Sequence, residues 1–488
     1  MSVTTRDAGP APTVPRQTWQ ALGVLMAGMF MALLDTTIVN VALVPIRTSL
    51  NASESTLSWI ISGYALAFGL TLIPAGRLGD RIGHKWVFFS GLALFTIASL
   101  ACGFAQNDGQ LIVSRVVQGL ACGIYVPGVS AFIQLLFPPR MRGKAFAIMG
   151  SVIGVSTALG PILGGLIIEA FGDENGWRLV FWVNLPIGIA TLIAAAILLP
   201  KKSAAQTAGG GIDWIGLLLI TAGFVALLVP LIQGQEAGWP LWTYITIAAG
   251  VALIAAFGAW EVAFTKRGRT PLVPPRLFRR QAFTGGVILT MVYFAAFTSI
   301  FFTISILWQS GLAHTALQTG LVSLPFALAN IIGSALSNRL AQRFGRNVLI
   351  AGATLVTIGL IWIWLVLRST TPADLTNWVI LVPLFLAGLG NGFFIAPNIG
   401  FIVATVEPYD AGSASGVVTA MQRIGSAMGI AIIGSVLFGT LVIKSNSRDA
   451  VATGFIHSAS AAMLVSAALS AAALLLVFAL PKRVNPGR

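Results

Sequence analysis

Residues 19–44 read WQALGVLMAGMFMALLDTTIVNVALV, an apolar run that contains a single charged residue, Asp35. At 1.5 Å per helical residue, about 20 residues cross the roughly 30 Å hydrocarbon core of a bilayer. A carboxylate near the bilayer centre costs at least ~2.5 kcal/mol, so an acid placed there is normally functional and faces the protein interior. The stretch therefore predicts a transmembrane helix that carries a functional carboxylate.

Similar apolar runs make up most of the chain. Of its 488 residues, 56% are hydrophobic and 9% are charged, and the mean hydropathy is +0.88. Soluble domains carry about 25% charged residues. A transmembrane barrel would show short alternating segments instead of long apolar runs. The composition therefore predicts an all-α polytopic membrane protein. Cys102 and Cys122 both lie in apolar runs, so we expect no disulfide framework.

The apolar runs between polar breaks number fourteen. We place them at about 19–44, 56–76, 86–105, 110–137, 144–168, 178–199, 213–233, 241–263, 282–308, 317–338, 347–367, 377–404, 412–443 and 458–480. An even number of spans puts both chain ends on the same side of the membrane.

The distribution of the Lys and Arg residues indicates which side of the membrane holds the chain ends. Most of the 29 fall in segments that lie on the same side as the chain ends. The positive-inside rule therefore predicts cytoplasmic termini in the cell (plasma) membrane. Topology and anionic inner-leaflet lipid account for the net charge of +14, so we expect no nucleic-acid partner. The other side receives only Arg47, Arg178, Arg368, Lys444 and Arg448, and two more lie within spans, Arg115 and Arg423.

An internal repeat divides the chain. GRLGDRIGHK at 76–85 returns as NRLAQRFGRN at 338–347, each time between the second and third spans of a group of six. Internal repeats in transporters place the substrate site at their interface near the bilayer midplane. The predicted organisation is a tail at 1–18, a six-helix bundle at 19–199, a two-helix insert within 200–281, a second six-helix bundle at 282–480 and a tail at 481–488.

Six motifs in order resemble the major facilitator superfamily, and within it the fourteen-span drug:proton antiporters. They are LDTTIVNVAL at 34–43, GRLGDRIGHK at 76–85, LIVSRVVQGLACG at 111–123, GVSTALGPILGG at 154–165, WRLVFWVNLPIG at 177–188 and GSASGVVTAMQRIGSAMG at 412–429. The resemblance implies the major facilitator fold, with two six-helix bundles, two inserted helices and fourteen transmembrane helices. The proline of the first motif stands one place late, at Pro45.

The resemblance also implies roles for residues of these motifs. Asp35 and Arg115 would couple transport to protons. The inner loops would latch the two halves in one conformation, through Gly76, Asp80, Arg81, Gly83, Arg339, Arg343 and Gly345. Small residues and a mid-helix proline indicate a hinge and packing device, and the resemblance implies a seal against leak, for Gly154, Gly160, Pro161, Gly164 and Gly165.

Physical alternatives exist for each of these roles. Asp35 could be a structural group hydrogen-bonded to a neighbouring helix. Arg115 lies at a similar depth, where opposite charges lower each other's desolvation cost, but it could also snorkel to the headgroups. The basic loops could be purely topogenic, and close helix packing alone could explain the glycines.

The remaining polar residues within spans are candidates for lining a substrate cavity: Asn40, Tyr64, Gln118, Gln309, Asn391, Asn398, Gln422 and Arg423. The three histidines are scattered, so we expect no metal site. The sequence has no GxxxxGK[ST] motif, which argues against an ATP-driven pump. Clustered catalytic residues and a soluble domain are both missing from the pattern, so an enzyme is not expected.

The sequence thus favours a proton-coupled antiporter that exports amphipathic drugs, dyes, antibiotics or related metabolites by alternating access. Protons are the only coupling ion expected, no cofactor is needed, and we expect a monomer. No acid lies within the C-terminal spans, which favours a neutral or singly cationic substrate. A passive facilitator, or an exporter dedicated to one metabolite, siderophore or lipid, would share the same architecture.

Overall fold

The protein is built from long helices joined by short turns. The computed structural model describes residues 15–200, 213–403, 406, 411–445 and 447–482, without the side chains at 73, 76, 77, 80, 81, 139, 140, 143, 147, 158, 403 and 411–413. These residues contain no β-strand. The N-terminal half consists of α1 (Arg16–Leu50), α2 (Glu54–Ile82), α3 (His84–Phe104), α4 (Asp108–Leu136), α5 (Pro139–Trp182) and α6 (Asn184–Leu198).

The rest of the chain continues in the same manner. Two inserted helices, α7 (Trp214–Gln233) and α8 (Leu241–Lys266), are followed by the short α9 (Pro275–Phe278). A π-helical turn at Leu307–Gly311 extends the first helix of the C-terminal half. That half consists of α10 (Gln281–Ile306), α11 (Ala316–Val322), α12 (Leu324–Phe344), α13 (Asn347–Ser369), α14 (Leu381–Val403), α15 (Ala411–Gly439) and α16 (Arg448–Leu476).

Thirteen of the described helical stretches are long and apolar enough to cross a membrane. One of them, 144–198, has 55 residues and would be about 80 Å long as a straight helix. Gly172 interrupts it with a φ of 77° and a ψ of 163°. A Cβ atom on Gly176 would lie 2.6 Å from the Cα atom of Ile168, so the chain reverses between them. This stretch therefore crosses twice, which gives the fourteen predicted crossings.

Polar side chains fix where several helices begin. An oxygen at such a position satisfies one of the backbone N–H groups that the first turn leaves unpaired. Five of the described helices begin after a side chain that accepts a hydrogen bond from the N–H group three residues later: Ser53, Asn107, Asp213, Thr315 and Ser447.

Both copies of the repeat end a helix at a glycine with a positive φ. α2 ends before Gly83, which has a φ of 95°, and α12 ends before Gly345, which has a φ of 59°. The Gly83 N–H group donates to the Gly79 carbonyl at 3.0 Å, and the Gly345 N–H group donates to the Ala341 carbonyl at 2.9 Å. A positive φ favours glycine, which explains why glycine stands in both copies. We call the side that carries these turns the basic side, and the other side the opposite side.

The two halves meet along α2 and α15, which run antiparallel. The Ser62 hydroxyl donates to the Ala427 carbonyl at 3.1 Å. Towards the opposite side, a Cβ atom on Gly434 would lie 2.6 Å from the Ser58 Oγ atom. In the middle, a Cβ atom on Gly69 would lie 2.9 Å from that of Arg423. Small residues thus let the two halves approach closely at their junction.

The first of the inserted helices, α7, covers this junction. Phe224 and Leu228 of α7 pack in one buried cluster with Leu66 of α2 and Ile424 of α15. In the turn after α7, the Glu236 carboxylate accepts hydrogen bonds from the Ser55 backbone N–H group at 2.8 Å and from its hydroxyl at 2.9 Å. The insert therefore contacts both halves where they adjoin.

The G-x-G-x-G run of α14 serves close packing. A Cβ atom on Gly388 would lie 2.1 Å from the Phe326 carbonyl oxygen of α12, and one on Gly390 would lie 2.4 Å from the Gly352 carbonyl oxygen of α13. A Cβ atom on Gly392 would lie 2.5 Å from the Asn330 carbonyl oxygen. These contacts are to backbone atoms, which move only with their whole helix.

We therefore expect Gly388→Ala to destabilise the protein by about 1–3 kcal/mol, because α12 and α14 must separate to admit the methyl group. Thermal unfolding of the purified protein in detergent measures the effect. Gly400→Ala in the same helix is the matched control, since a Cβ atom there meets nothing within 4 Å. Equal unfolding temperatures for the two variants would contradict this account of the packing.

Candidate functional site

Asp35 forms a buried ion pair with Arg115. The Arg115 Nη1 atom lies 2.6 Å from the Asp35 Oδ2 atom, and the two side chains are 1% and 0% exposed. The arginine therefore does not snorkel to the headgroups. Thr36 and Thr37, the neighbours of Asp35, donate to carbonyls of their own helix and leave the carboxylate to other partners.

Two amides complete the coordination of the carboxylate. The Asp35 Oδ1 atom accepts hydrogen bonds from Gln118 Nε2 at 2.9 Å and from Asn184 Nδ2 at 3.1 Å. The same two amide groups donate to the Ser99 hydroxyl, at 3.1 Å and 3.0 Å. Ser99 in turn donates to the Phe181 carbonyl at 2.8 Å. Arg115, Gln118 and Asn184 thus surround the Asp35 side chain with three hydrogen-bond donors, an arrangement that suits a charged carboxylate.

Arg115 is held by several further groups. Its Nη1 atom donates to Gln118 Oε1 at 2.6 Å, and its Nε atom donates to the Ile60 carbonyl at 3.2 Å. Its Cζ atom lies 4.1 Å from the centroid of the Tyr64 ring, a cation–π arrangement. Arg115 and Gln118 lie one turn apart on α4 and so point to the same side of that helix. The network thus joins α1, α2, α3, α4 and the α5–α6 junction.

The network is sealed within the N-terminal half. The cavity nearest to it along α1 lies between the halves and has a volume of only about 20 Å³. Ligand pockets for drug-sized molecules measure about 300–1,000 Å³, so the halves must separate before such a molecule can enter. The cavity is lined by Thr37, Asn40, Val41, Thr157, Pro161, Phe301, Ile304, Ser305, Thr319 and Ser323.

The eight predicted cavity residues do not form one group. Tyr64 and Gln118 belong to the Asp35 network, whereas Asn40 lines the cavity between the halves. Gln309 reaches this cavity indirectly, since its Nε2 atom donates to the Ser305 hydroxyl at 2.9 Å. That hydroxyl donates in turn to the Asn40 carbonyl, which links the two halves.

The polar groups of the C-terminal half lie elsewhere. Asn391 accepts from the Tyr293 hydroxyl at 3.0 Å and donates to Asn330 at 3.0 Å, and Asn398 donates to Thr290 at 2.9 Å. These contacts join helices within that half. Arg423 instead stands on α15 at its junction with α2, and Gln422 precedes it on the same helix.

The inner-loop residues are only partly described. The backbones of Gly76, Asp80 and Arg81 lie in the last turns of α2, and their side chains fall outside the described set. Arg339 and Arg343 are exposed, and Arg343 lies over the Phe344 ring at 5.4 Å. The latch between the halves stays a prediction.

The glycines of α5 lie at two different contacts. Cβ atoms on Gly160 and Gly164 would lie 2.0 Å from Thr37 Oγ1 and 2.6 Å from Val41 Cγ2, so these two residues allow α1 and α5 to pack closely. A Cβ atom on Gly165 would lie 2.5 Å from the Leu317 Cα atom of the other half.

The remaining residues of the α5 signature also face the C-terminal half. A Cβ atom on Gly154 would lie 3.2 Å from Ile331, and the Pro161 carbonyl is the nearest atom to a Cβ on Gly320. The signature therefore spans the surface where the halves meet, and its role as a hinge stays a prediction.

Sequence reasoning missed Ser99 and Asn184. Asn184 lies in the quoted motif at 177–188, so its position there was a usable signal. Ser99 stands in an ordinary apolar span, where a small hydroxyl residue gives no sign of its partners. Only the packing of α3 against α4 and α6 identifies it.

We expect Arg115→Gln to lower the free energy of unfolding by about 3–5 kcal/mol, because it leaves the Asp35 carboxylate buried without a counterion. Adding Asp35→Asn removes that charge, so the double variant should be less destabilised than the sum of the single variants, by at least ~1 kcal/mol. Chemical unfolding of the four proteins in detergent gives this coupling.

The exposed Arg368→Gln is the matched control and should change stability by less than about 0.5 kcal/mol. Strictly additive effects of the Asp35 and Arg115 substitutions would show that the ion pair is energetically unimportant.

Comparison with known proteins agrees with this architecture. Residues 25–430 match the Major Facilitator Superfamily. The chain is 35% identical to a "Probable actinorhodin transporter" of Streptomyces coelicolor over 89% of this chain and 74% of that protein. It is 32% identical to the "Methylenomycin A resistance protein" of the same organism, over 85% of each chain.

Two further comparisons extend this picture. A "Multidrug resistance protein Stp" of Mycobacterium tuberculosis is 31% identical over 84% of this chain and 74% of that protein. The solved structure of a D-xylose-proton symporter superimposes with a TM-score of 0.67 at 14% identity, covering 95% of this chain and 98% of that chain. The latter shows the fold alone. The chain therefore belongs to the Major Facilitator Superfamily, as a multi-pass membrane transporter and not an enzyme.

Proposed function

We propose that the protein exports amphipathic antibiotics or related small molecules in exchange for protons. The observation that carries the proposal is the buried Asp35–Arg115 pair within the transport fold. The printed names of its relatives, which include antibiotic and multidrug resistance proteins, support the direction and kind of cargo. In this proposal the protein works as a monomer in the plasma membrane, with the basic side and both termini in the cytoplasm.

Asp35 is the proton carrier in this proposal. As a carboxylate it neutralises Arg115, and as a carboxylic acid it leaves the arginine as a lone charge in a dry interior. An unpaired buried charge costs about 3–5 kcal/mol. Protonation therefore destabilises the sealed arrangement and favours a conformation in which Arg115 reaches water or another anion.

That cost is large enough to drive a conformational change. Moving a two-state equilibrium from 1:99 to 99:1 takes about 5.5 kcal/mol. One proton delivered to Asp35 thus supplies free energy comparable to that of switching between two transporter conformations. The other donors, Gln118 and Asn184, hold the carboxylate in place. They are neutral amides, so they cannot balance the charge of Arg115 once Asp35 is protonated.

Alternating access gives Asp35 and the cargo their routes. The halves touch through Ser305 and Asn40, and through Leu317 and Gly165, towards the opposite side. Opening these contacts would expose the surface between the halves to that side. Closing them and parting the basic side would expose the same surface to the cytoplasm.

We expect Asp35→Asn to abolish proton-driven export, because an amide cannot exchange a proton in the physiological range. The assay is efflux of a panel of amphipathic fluorescent dyes from cells that lack their endogenous pumps, with and without a protonophore. Wild-type efflux should stop when the protonophore is added. Asp449→Asn, at the exposed start of α16, is the matched control and should export normally.

Two further measurements guard this test. Gel filtration in detergent confirms that Asp35→Asn is folded, and Asp35→Glu, which keeps the carboxyl group, should restore part of the efflux. Undiminished transport driven by a pH gradient in proteoliposomes of Asp35→Asn would refute the assignment.

A further inference from the structure

Arg423 is a second arginine deep in the protein, and it has no counterion among the described side chains. It lies twelve residues into α15, about 18 Å from the basic end of that helix. No described carboxylate forms an ion pair with it, and its Nε atom is buried without a hydrogen-bond partner. The helices α10–α15 contain no acidic residue in their sequence.

The surroundings of Arg423 are aromatic and uncharged. Its Cζ atom lies 4.3 Å from the ring centroid of Phe68, which stands at the middle of α2. Gly69 lets the arginine approach the α2 backbone. An aromatic face stabilises a cation weakly and does not neutralise it.

The neighbouring Gln422 adds a second unused donor. Its side chain is 8% exposed, and its Nε2 atom is buried without a partner. The unpaired atoms at this point of α15 are therefore both hydrogen-bond donors. A buried donor that lacks an acceptor is costly, so a ligand rich in acceptor oxygens would be favoured at Arg423, and Gln422 projects from a different side of the helix.

The two intramembrane arginines differ in this respect. Arg115 has a carboxylate at 2.6 Å and further acceptors around it, whereas Arg423 has none of these among the described residues. The Asp35–Arg115 pair sums to zero charge. The junction between the halves therefore keeps the net positive charge of Arg423.

We propose that Arg423 binds the anionic group of the transported molecule, so that the cargo is an acidic amphipathic compound such as a carboxylate, sulfonate or phenolate. This inference rests on the proposed function, because it names the substrate class of that exporter. It replaces the expectation, based on the sequence, of a neutral or singly cationic substrate.

The position of the site also suits coupling to protons. Two aromatic rings connect the two arginines: the Tyr64 ring lies under the Arg115 guanidinium at 4.1 Å, and its centroid is 6.1 Å from that of Phe68, the ring that Arg423 faces. An anion bound at Arg423 therefore lies near the arginine that protonation of Asp35 releases. Proton entry and anion capture would then favour each other through opposite charges.

The test compares two dyes that share a xanthene scaffold and carry opposite charge, fluorescein (anionic) and rhodamine 123 (cationic). Fluorescence anisotropy measures their binding to the purified full-length protein in detergent, without a proton gradient. We expect the wild type to bind fluorescein more tightly than rhodamine 123. Arg423→Gln should weaken fluorescein binding by about 10- to 100-fold, the range expected for a charged hydrogen bond, and leave rhodamine 123 binding unchanged.

Two variants control for structural effects. Arg423→Lys keeps the charge and should keep the preference for fluorescein. Arg448→Gln removes the same charge from the exposed start of α16 and should bind both dyes as the wild type does. The proposal is overturned if the wild type shows no preference for fluorescein, or if Arg423→Gln weakens both dyes equally.

The binding assay and the transport assay test the anion site and the proposed function separately. A preference for fluorescein that depends on Arg423, together with export that does not depend on the proton gradient, would refute proton-coupled export and support the anion site. Proton-driven export by a protein that shows no preference for fluorescein would keep the exporter and remove the anion site.

Discussion

The rest of the N-terminal half depends on one interaction, the ion pair between Asp35 and Arg115. Both side chains are withdrawn from water, and withdrawing two charges from water costs several kcal/mol for each ion before their attraction is counted. The cost is tolerable because Gln118, Asn184 and the Ile60 carbonyl provide further hydrogen bonds to the two charged groups. Five helical segments must therefore keep their relative positions for the pair to remain stable.

Close packing by small residues holds those positions. In a bilayer the apolar surfaces of helices gain little by leaving lipid, so association relies on van der Waals contact and interhelical hydrogen bonds. Gly119 on α4 faces the Tyr64 carbonyl on α2, and Gly160 on α5 faces Thr37 on α1. The glycines thus bring together the helices that carry the charges. The same device, through Gly69, brings Arg423 against α2.

The two halves share a fold but differ in charge. The N-terminal half balances its intramembrane arginine with a carboxylate, and the C-terminal half presents Arg423 without one among the described residues. The repeated turns at Gly83 and Gly345 show that the halves are built alike. The asymmetry between them therefore lies in their buried charges: the paired arginine lies inside the N-terminal half, and Arg423 lies at the junction with α2.

The sequence by itself determined the membrane class, the fourteen crossings and the repeat, and it singled out Asp35 as a candidate functional acid, because hydropathy, turn glycines and an acid in an apolar run are local signals. It could also pair Asp35 with Arg115, since span counting gives equal depth. Tertiary structure alone decided that Ser99 and Asn184 complete the network and that the other polar candidates are separated. The partners of a side chain depend on which surfaces of neighbouring helices are in contact. Hydropathy contains no information about how each helix is rotated about its own axis.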